Sequence, residues 1–236
     1  VAKYGNLERL PDAQNIETSY DHFYTGSAEI VYSNLNGTIG SVEAERGVMA
    51  RLAASDTYVR EEHKVKLRTD LTKGFLLPLD HSSLWLMTSF GYSFADVNES
   101  FANFYFGGFG NNWVDNGSVN RYRRHYSFPG MELNSVAGTT YAKGTVEWTV
   151  PPVRFKRLGF PALYANLAHL SLFSSGIVTN LNEVDESRLV TIGAQLNVKL
   201  VIFSSLASTL SLGHAVALEE GWAPERELMI SLNILH

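Results

Sequence analysis

The sequence predicts an all-β chain, about ten antiparallel strands forming a transmembrane β-barrel wall. Three observations carry this. Apolar and polar residues alternate with period two over runs of about 10 to 15 residues, whereas strands in soluble proteins run ~5–6. Opposite the apolar stripes stand many small polar residues (Ser, Thr, Gly, Asn and Gln), where a solvated sheet face would carry more Lys and Glu in mid-strand. Aromatic residues gather near strand ends, as in the girdles of membrane barrels. No run of eighteen apolar residues is present to form a spanning helix. A spanning strand needs only ~9–11 residues, so that does not decide against a membrane. A soluble β-sandwich also alternates, with its apolar stripe turned to the core. It remains the alternative, and strand length and the polar stripe favour the barrel.

The elements follow in order. Residues 1–25 are mixed and polar, with Pro11 and no period, and read as an irregular lead-in with room for a strand near its end. From residue 26 the barrel domain runs to residue 236. Ala28, Ile30 and Tyr32 alternate, and Asn36-Gly37 marks a turn. Val48, Ala50, Leu52 and Ala54 alternate next; Ala, Met, Arg and Leu would also suit a helix. The strand is preferred because two clear strands follow it. Val65, Leu67, Thr69 and Leu71 form one stripe, and Leu84, Leu86, Thr88, Phe90, Tyr92 and Phe94 another, with Asp80-His81-Ser82-Ser83 as the hairpin turn. Beyond a long loop, Val136–Val150 reads as one strand ended by Pro151-Pro152. Strands follow at 161–178, at 188–203 (Val190, Ile192, Ala194, Leu196, Val198, Leu200, Ile202), at 206–213, and at the end, where Leu228, Ile230, Leu232 and Ile234 alternate.

Composition narrows the function classes. With 19 Lys plus Arg against 24 Asp plus Glu, no basic footprint for nucleic acid exists. Zero cysteines exclude disulfides and thiolate metal sites. The seven histidines have no metal-ligand spacing, and no nucleophile elbow, phosphate loop or zinc-protease helix is present. The sequence predicts no enzyme and no cofactor.

The loop between residues 107 and 135 concentrates the chemistry. It opens on a glycine turn (Gly107, Gly108, Gly110), carries Arg121, Tyr122, Arg123, Arg124 and His125, and stops at Phe128-Pro129-Gly130. Connections this long are functional or disordered. Arginines amid aromatics argue for a loop folded back and held, because guanidinium groups stack on rings and form forked hydrogen bonds.

The segments FYFGGFGNNWVD, RYRRHYSFPGME, GTVEWTVPPVRFKRLGFP and ELMISLNIL resemble the bacterial surface antigen superfamily. These are the barrels of outer-membrane assembly factors and two-partner secretion, and above all those that follow a TolB-like β-propeller. The likeness is best over residues 100–236 and weak before residue 80. It implies a sixteen-stranded barrel in the bacterial outer membrane, with loop 107–135 tucked into the lumen through an arginine. Fewer strands precede the loop here than in a full barrel of that kind, so either the first strands are missing or the barrel is smaller. Trp113-Val114-Asp115 stand where the family's arginine is usual, leaving Arg121 and Arg123 as candidates. Glu147 matches the family's acidic acceptor; a second acceptor is absent at Phe173-Ser174-Ser175-Gly176. The resemblance further implies a lipid and lipopolysaccharide bilayer, the outer-membrane assembly machinery and other envelope subunits as partners. The C-terminal strand (Leu228, Ile230, Leu232, Ile234) would be the assembly signal. The implied role is protein insertion, translocation or display at the outer membrane; a passive pore or anchor is the alternative.

Overall fold

Alternation and turn chemistry account for most of the elements. The computed structural model describes residues 2–6, 22–96, 99, 101–109, 119–181, 186–203, 205–219, 221 and 223–234. Among them are thirteen strands, one 3-10 turn and no α-helix. β1 (Ala2–Asn6) pairs with the start of β2 (His22–Asn36), so residues 1–25 are not irregular throughout. Their strands are specified by a long-range partner, which local composition does not reveal. β3 (Arg46–Val59) is a strand despite its helix-favouring residues, because it pairs along its length with β2 and with β4 (Glu62–Leu76). Arg60 and Glu61 alone join β3 to β4, with φ of 52° and 66°. Two consecutive positive φ values are the primed hairpin geometry whose twist matches that of the strands.

β5 (Ser83–Ser93) precedes the loop. At the base of the loop β6 (Phe104–Phe106) and β7 (Val136–Gly138) form a separate two-stranded ribbon. Val136–Val150 is therefore not one strand: the chain leaves the ribbon at Thr139 and enters the main sheet as β8 (Thr140–Thr149). β9 (Val153–Phe160) was not expected. Pro151-Pro152, lacking N–H donors, interrupt the ladder, and β8 and β9 then lie along different lengths of β10 (Leu163–Thr179). β11 (Ser187–Ile202), β12 (Leu206–Glu219) and β13 (Glu225–Ile234) complete an antiparallel meander. The eleven-stranded sheet runs β1-β2-β3-β4-β5-β8-β10-β11-β12-β13, with β9 on β10. It is not closed: among the described residues β1 and β13 do not pair.

The polarity of the sheet is inverted relative to a soluble sandwich. Ile30, Leu52, Leu71, Leu86, Val146 and Ile192 are exposed on the outer face. The buried inner face carries Ser89, Lys143, Thr145, Glu147, His169, Ser171, Thr191, Gln195 and Asn197. The sandwich alternative requires the reverse. Most of the exposed strand aromatics lie toward the two ends, Tyr24, Tyr58, Tyr92 and Phe94 at one and Phe75, Trp148 and Phe160 at the other, while Tyr32 and Phe90 lie at mid-height.

The sheet is strongly curved. The Asn120 side chain bonds both Glu43, which precedes β3, and Asn197 on β11. A flat sheet would put those strands five spacings, ~24 Å, apart, and no Asn side chain spans that. The buried apolar clusters lie between the loop and the concave face: Phe106, Phe128, Met131, Val136, Tyr141, Ile177, Leu189 and Ala217 in one, Phe109, Tyr122, Phe173, Ala215 and Met229 in the other.

Candidate functional site: the docked interior loop

Strand register builds the floor on which the loop rests. Directly opposed residues share a face, so successive registers define rows across the wall. One inner row reads Gly47, Gly74, Trp85, Glu147, Phe173, Gly193, Ala215, Glu227 across β3, β4, β5, β8, β10, β11, β12 and β13. Three large residues (Trp85, Glu147 and Phe173) are flanked along it by pairs of small ones (Gly47 and Gly74, Gly193 and Ala215), and each large one meets either the loop or a neighbouring glycine.

Arg123 sits over this row. Its Nε and Nη2 donate to the two oxygens of Glu147 at 2.7 and 2.6 Å, a forked pair, while Nη1 donates to Glu43 at 3.0 Å. Its guanidinium lies 6.0 Å from the centre of the Trp85 ring. Of the two arginines left open by the sequence, Arg123 is the one that meets Glu147. Burial alone would lower the pKa of Arg123; the Glu147 carboxylate outweighs it and holds the guanidinium charged. Arg121 is buried, whereas Arg123 is partly exposed, and the Arg121 Nη2 donates to Ser231 on β13 at 3.1 Å. Glu43 supplies a second carboxylate in place of the one missing near Gly176. It lies on the turn between β2 and β3, eighty positions before Arg123, and no linear pattern marks it. That turn lies at the end of the sheet opposite the loop's entry, so the loop crosses the full height of the wall.

Tyr122 stacks on Phe173 with ring centres 4.3 Å apart and planes 7° apart. Burial, and then the neighbouring Glu147 charge, raise its phenol well above the ordinary range. The slot for these rings is cut by glycines. A Cβ on Gly213 would stand 2.9 Å from the Phe109 ring, and one on Gly193 would meet the Phe173 ring.

The remaining predicted residues fix the loop's path. Phe128, Pro129 and Gly130 are all buried. Gly108 and Phe128 form a bridge, with the Phe128 N–H donating to the Gly108 carbonyl at 3.1 Å. Gly107 and Gly130 have φ of 150° and 99°. A Cβ on Gly130 would stand 2.6 Å from the Ala217 nitrogen, so the loop touches the β12 backbone there. The Pro129 carbonyl accepts from Thr191 at 2.5 Å. Gly110 lies outside the described residues. Leu228, Ile230, Leu232 and Ile234 are exposed on the outer face of β13, away from the loop.

Two anchors were missed by sequence reasoning. Glu227 on β13 accepts the backbone N–H groups of Phe109 and Gly130, each at 3.0 Å, one per carboxylate oxygen. It sits beside Leu228 in a strand read only for its apolar stripe. Lys143 on β8 donates to the carbonyls of Arg124 and His125 at 3.0 and 3.2 Å, and to that of Ser127. Three acceptors match the three donors of an ammonium. In the alternation Lys143 looked like one more polar interior residue.

Comparison with family models, curated proteins and solved structures finds no match.

Proposed function

We propose that this chain is the membrane wall of an outer-membrane β-barrel protein of surface-antigen type, serving protein insertion, translocation or display at the bacterial outer membrane. The observation that carries the membrane part is the inverted polarity of the sheet. Apolar side chains exposed over many strands are costly in water and favourable in lipid. The eleven residues of β5, at ~3.4 Å each and tilted by about 40°, rise roughly 29 Å, enough for the ~25 Å apolar band of such barrels. Aromatics toward both ends fit its two interfaces. In this reading the strands close into a barrel, of sixteen strands in the family pattern, around the docked loop.

The protein-handling part comes with the sequence resemblance. The feature of the fold that agrees with it is β13, which among the described residues pairs along one edge only; in a closed barrel that other edge is the seam, and an edge that opens there can template another strand. The occupied interior favours a membrane anchor over an open pore as the second reading.

The test is heat-modifiable migration of detergent-extracted full-length protein, paired with dye release from liposomes that contain it. The proposal expects a compact form that shifts on boiling, and no dye release. Solubility in buffer without detergent and no shift on boiling would refute the membrane wall. A shift with rapid dye release would keep the wall and replace the plugged interior with an open pore.

A further inference from the structure

We propose that the compartment between the docked loop and strands β3, β4, β5 and β8 is a binding site for a soluble phosphate-type anion. The space is a cavity of about 560 Å³ whose walls include Arg51, Asp70, Arg123, Arg124, His125 and Lys143. That volume lies within the ~300–1,000 Å³ of small-molecule sites.

Register places its floor. Arg51, Asp70, Ser89 and Lys143 form one inner row, and Met49, Thr72, Met87 and Thr145 the next row toward Glu147. The loop residues face these rows from above.

The charges around this cavity do not cancel within it. Arg51 is paired with Glu29, 3.2 Å away on β2. Asp70, the one carboxylate in the wall, accepts from Arg68 at 3.0 Å and from Ser89 at 2.6 Å. Arg123 is committed to Glu147 and Glu43. Arg124 and Lys143 have no carboxylate within 4.0 Å among the described residues. Arg124 is partly buried on this cavity with no carboxylate partner, and an unpaired charge removed from water is costly, so the cavity calls for an anion.

The donors suit phosphate. Lys143 is saturated by three carbonyls, so it offers the ligand no hydrogen bond. The Arg124 side chain uses one of its five donors, on the Tyr126 hydroxyl. The rest of its fork matches the geometry of a phosphate. The Nε2 of His125 lies 2.8 Å from Nη1 of Arg68. Arg68 can only donate, so His125 accepts through Nε2 and carries its proton on Nδ1, a further donor. The walls belong to the inner face, so the ligand is water-soluble and not a lipid headgroup.

The site requires the docked loop and does not depend on the membrane assignment. Its test is calorimetric titration of the full-length protein in zwitterionic detergent with inorganic phosphate at low ionic strength. Arg124→Gln is compared with Arg188→Gln, which removes the same charge from an exposed ion pair with Glu186. Near-ultraviolet circular dichroism confirms that each protein is folded. Expected is saturable binding by the wild type and R188Q, weakened about ten-fold or more in R124Q. No saturable binding by folded wild type overturns the proposal, as does equal binding by R124Q. Binding seen only when phosphatidic acid is added to the micelles also overturns it, by assigning a lipid headgroup in place of a soluble phosphate.

Discussion

Arg123→Ala should release the loop and leave the wall standing. The substitution strands the Glu147 carboxylate, whose side chain is 0 % exposed, leaving it the Thr149 hydroxyl, which donates at 3.0 Å, and the neighbouring Tyr122 phenol. Breaking a buried ion pair by removing one partner costs about 3–5 kcal/mol. The Arg123 side chain is 27 % exposed, so water takes part of its place and about 2–3 kcal/mol is the appropriate figure. The strands are held by continuous ladders that do not involve Arg123, so the cost falls on the loop as a local opening. At about 1.4 kcal/mol per ten-fold, the open population rises roughly 30- to 150-fold. Limited proteolysis in detergent, under conditions where cleavage reports the open population, measures it. The double variant Arg123→Ala/Glu147→Gln should open less than Arg123→Ala alone, since an unpaired amide is cheaper to bury than an unpaired carboxylate. A loop cleaved at the wild-type rate in Arg123→Ala, or a double variant as open as the sum of the singles, would refute this account of the lock.

Three further outcomes are expected. Glu227→Gln keeps one acceptor oxygen and turns an amide NH2 toward either the Phe109 or the Gly130 N–H. The lost bond and donor clash should cost about 1–3 kcal/mol of loop docking, read by amide hydrogen exchange at those two positions. Gly213→Ala puts a methyl group 2.9 Å from the Phe109 ring, overpacking that should cost about 1–3 kcal/mol and appear as faster loop proteolysis. Acid should loosen the loop through His125, whose pKa burial, and then the neighbouring Arg68 charge, push down to about 3 from 6.5. The docked state keeps this imidazole neutral while the open state charges it. Docking is therefore strongest above about pH 6.5 and weakens toward pH 3, by up to about 1.4 kcal/mol per pH unit. His125→Gln should flatten loop proteolysis across that window, and an unchanged acid response would remove His125 from the account.

The sequence by itself determined the all-β class, most strand positions, which stripe of each strand is apolar, and the loop as the place where charge and aromatic residues converge. These are local properties. Period-two alternation at Val190–Ile202, or Arg121 to Phe128 within one short segment, is visible without knowing any partner. What only the tertiary structure decided is whatever depends on register. Glu147, Phe173, Gly193, Ala215 and Glu227 lie far apart in the chain and form one row because strand pairing places them opposite one another. The choice of Arg123 over Arg121 follows from that row, as the two arginines are equivalent in linear context. Glu43 joins the lock because the sheet curves until its turn meets the loop, and β1 exists only against β2. The face of the sheet that is buried was also a tertiary decision. Alternation states that two faces differ, and only the position of the loop says that the polar one is inside.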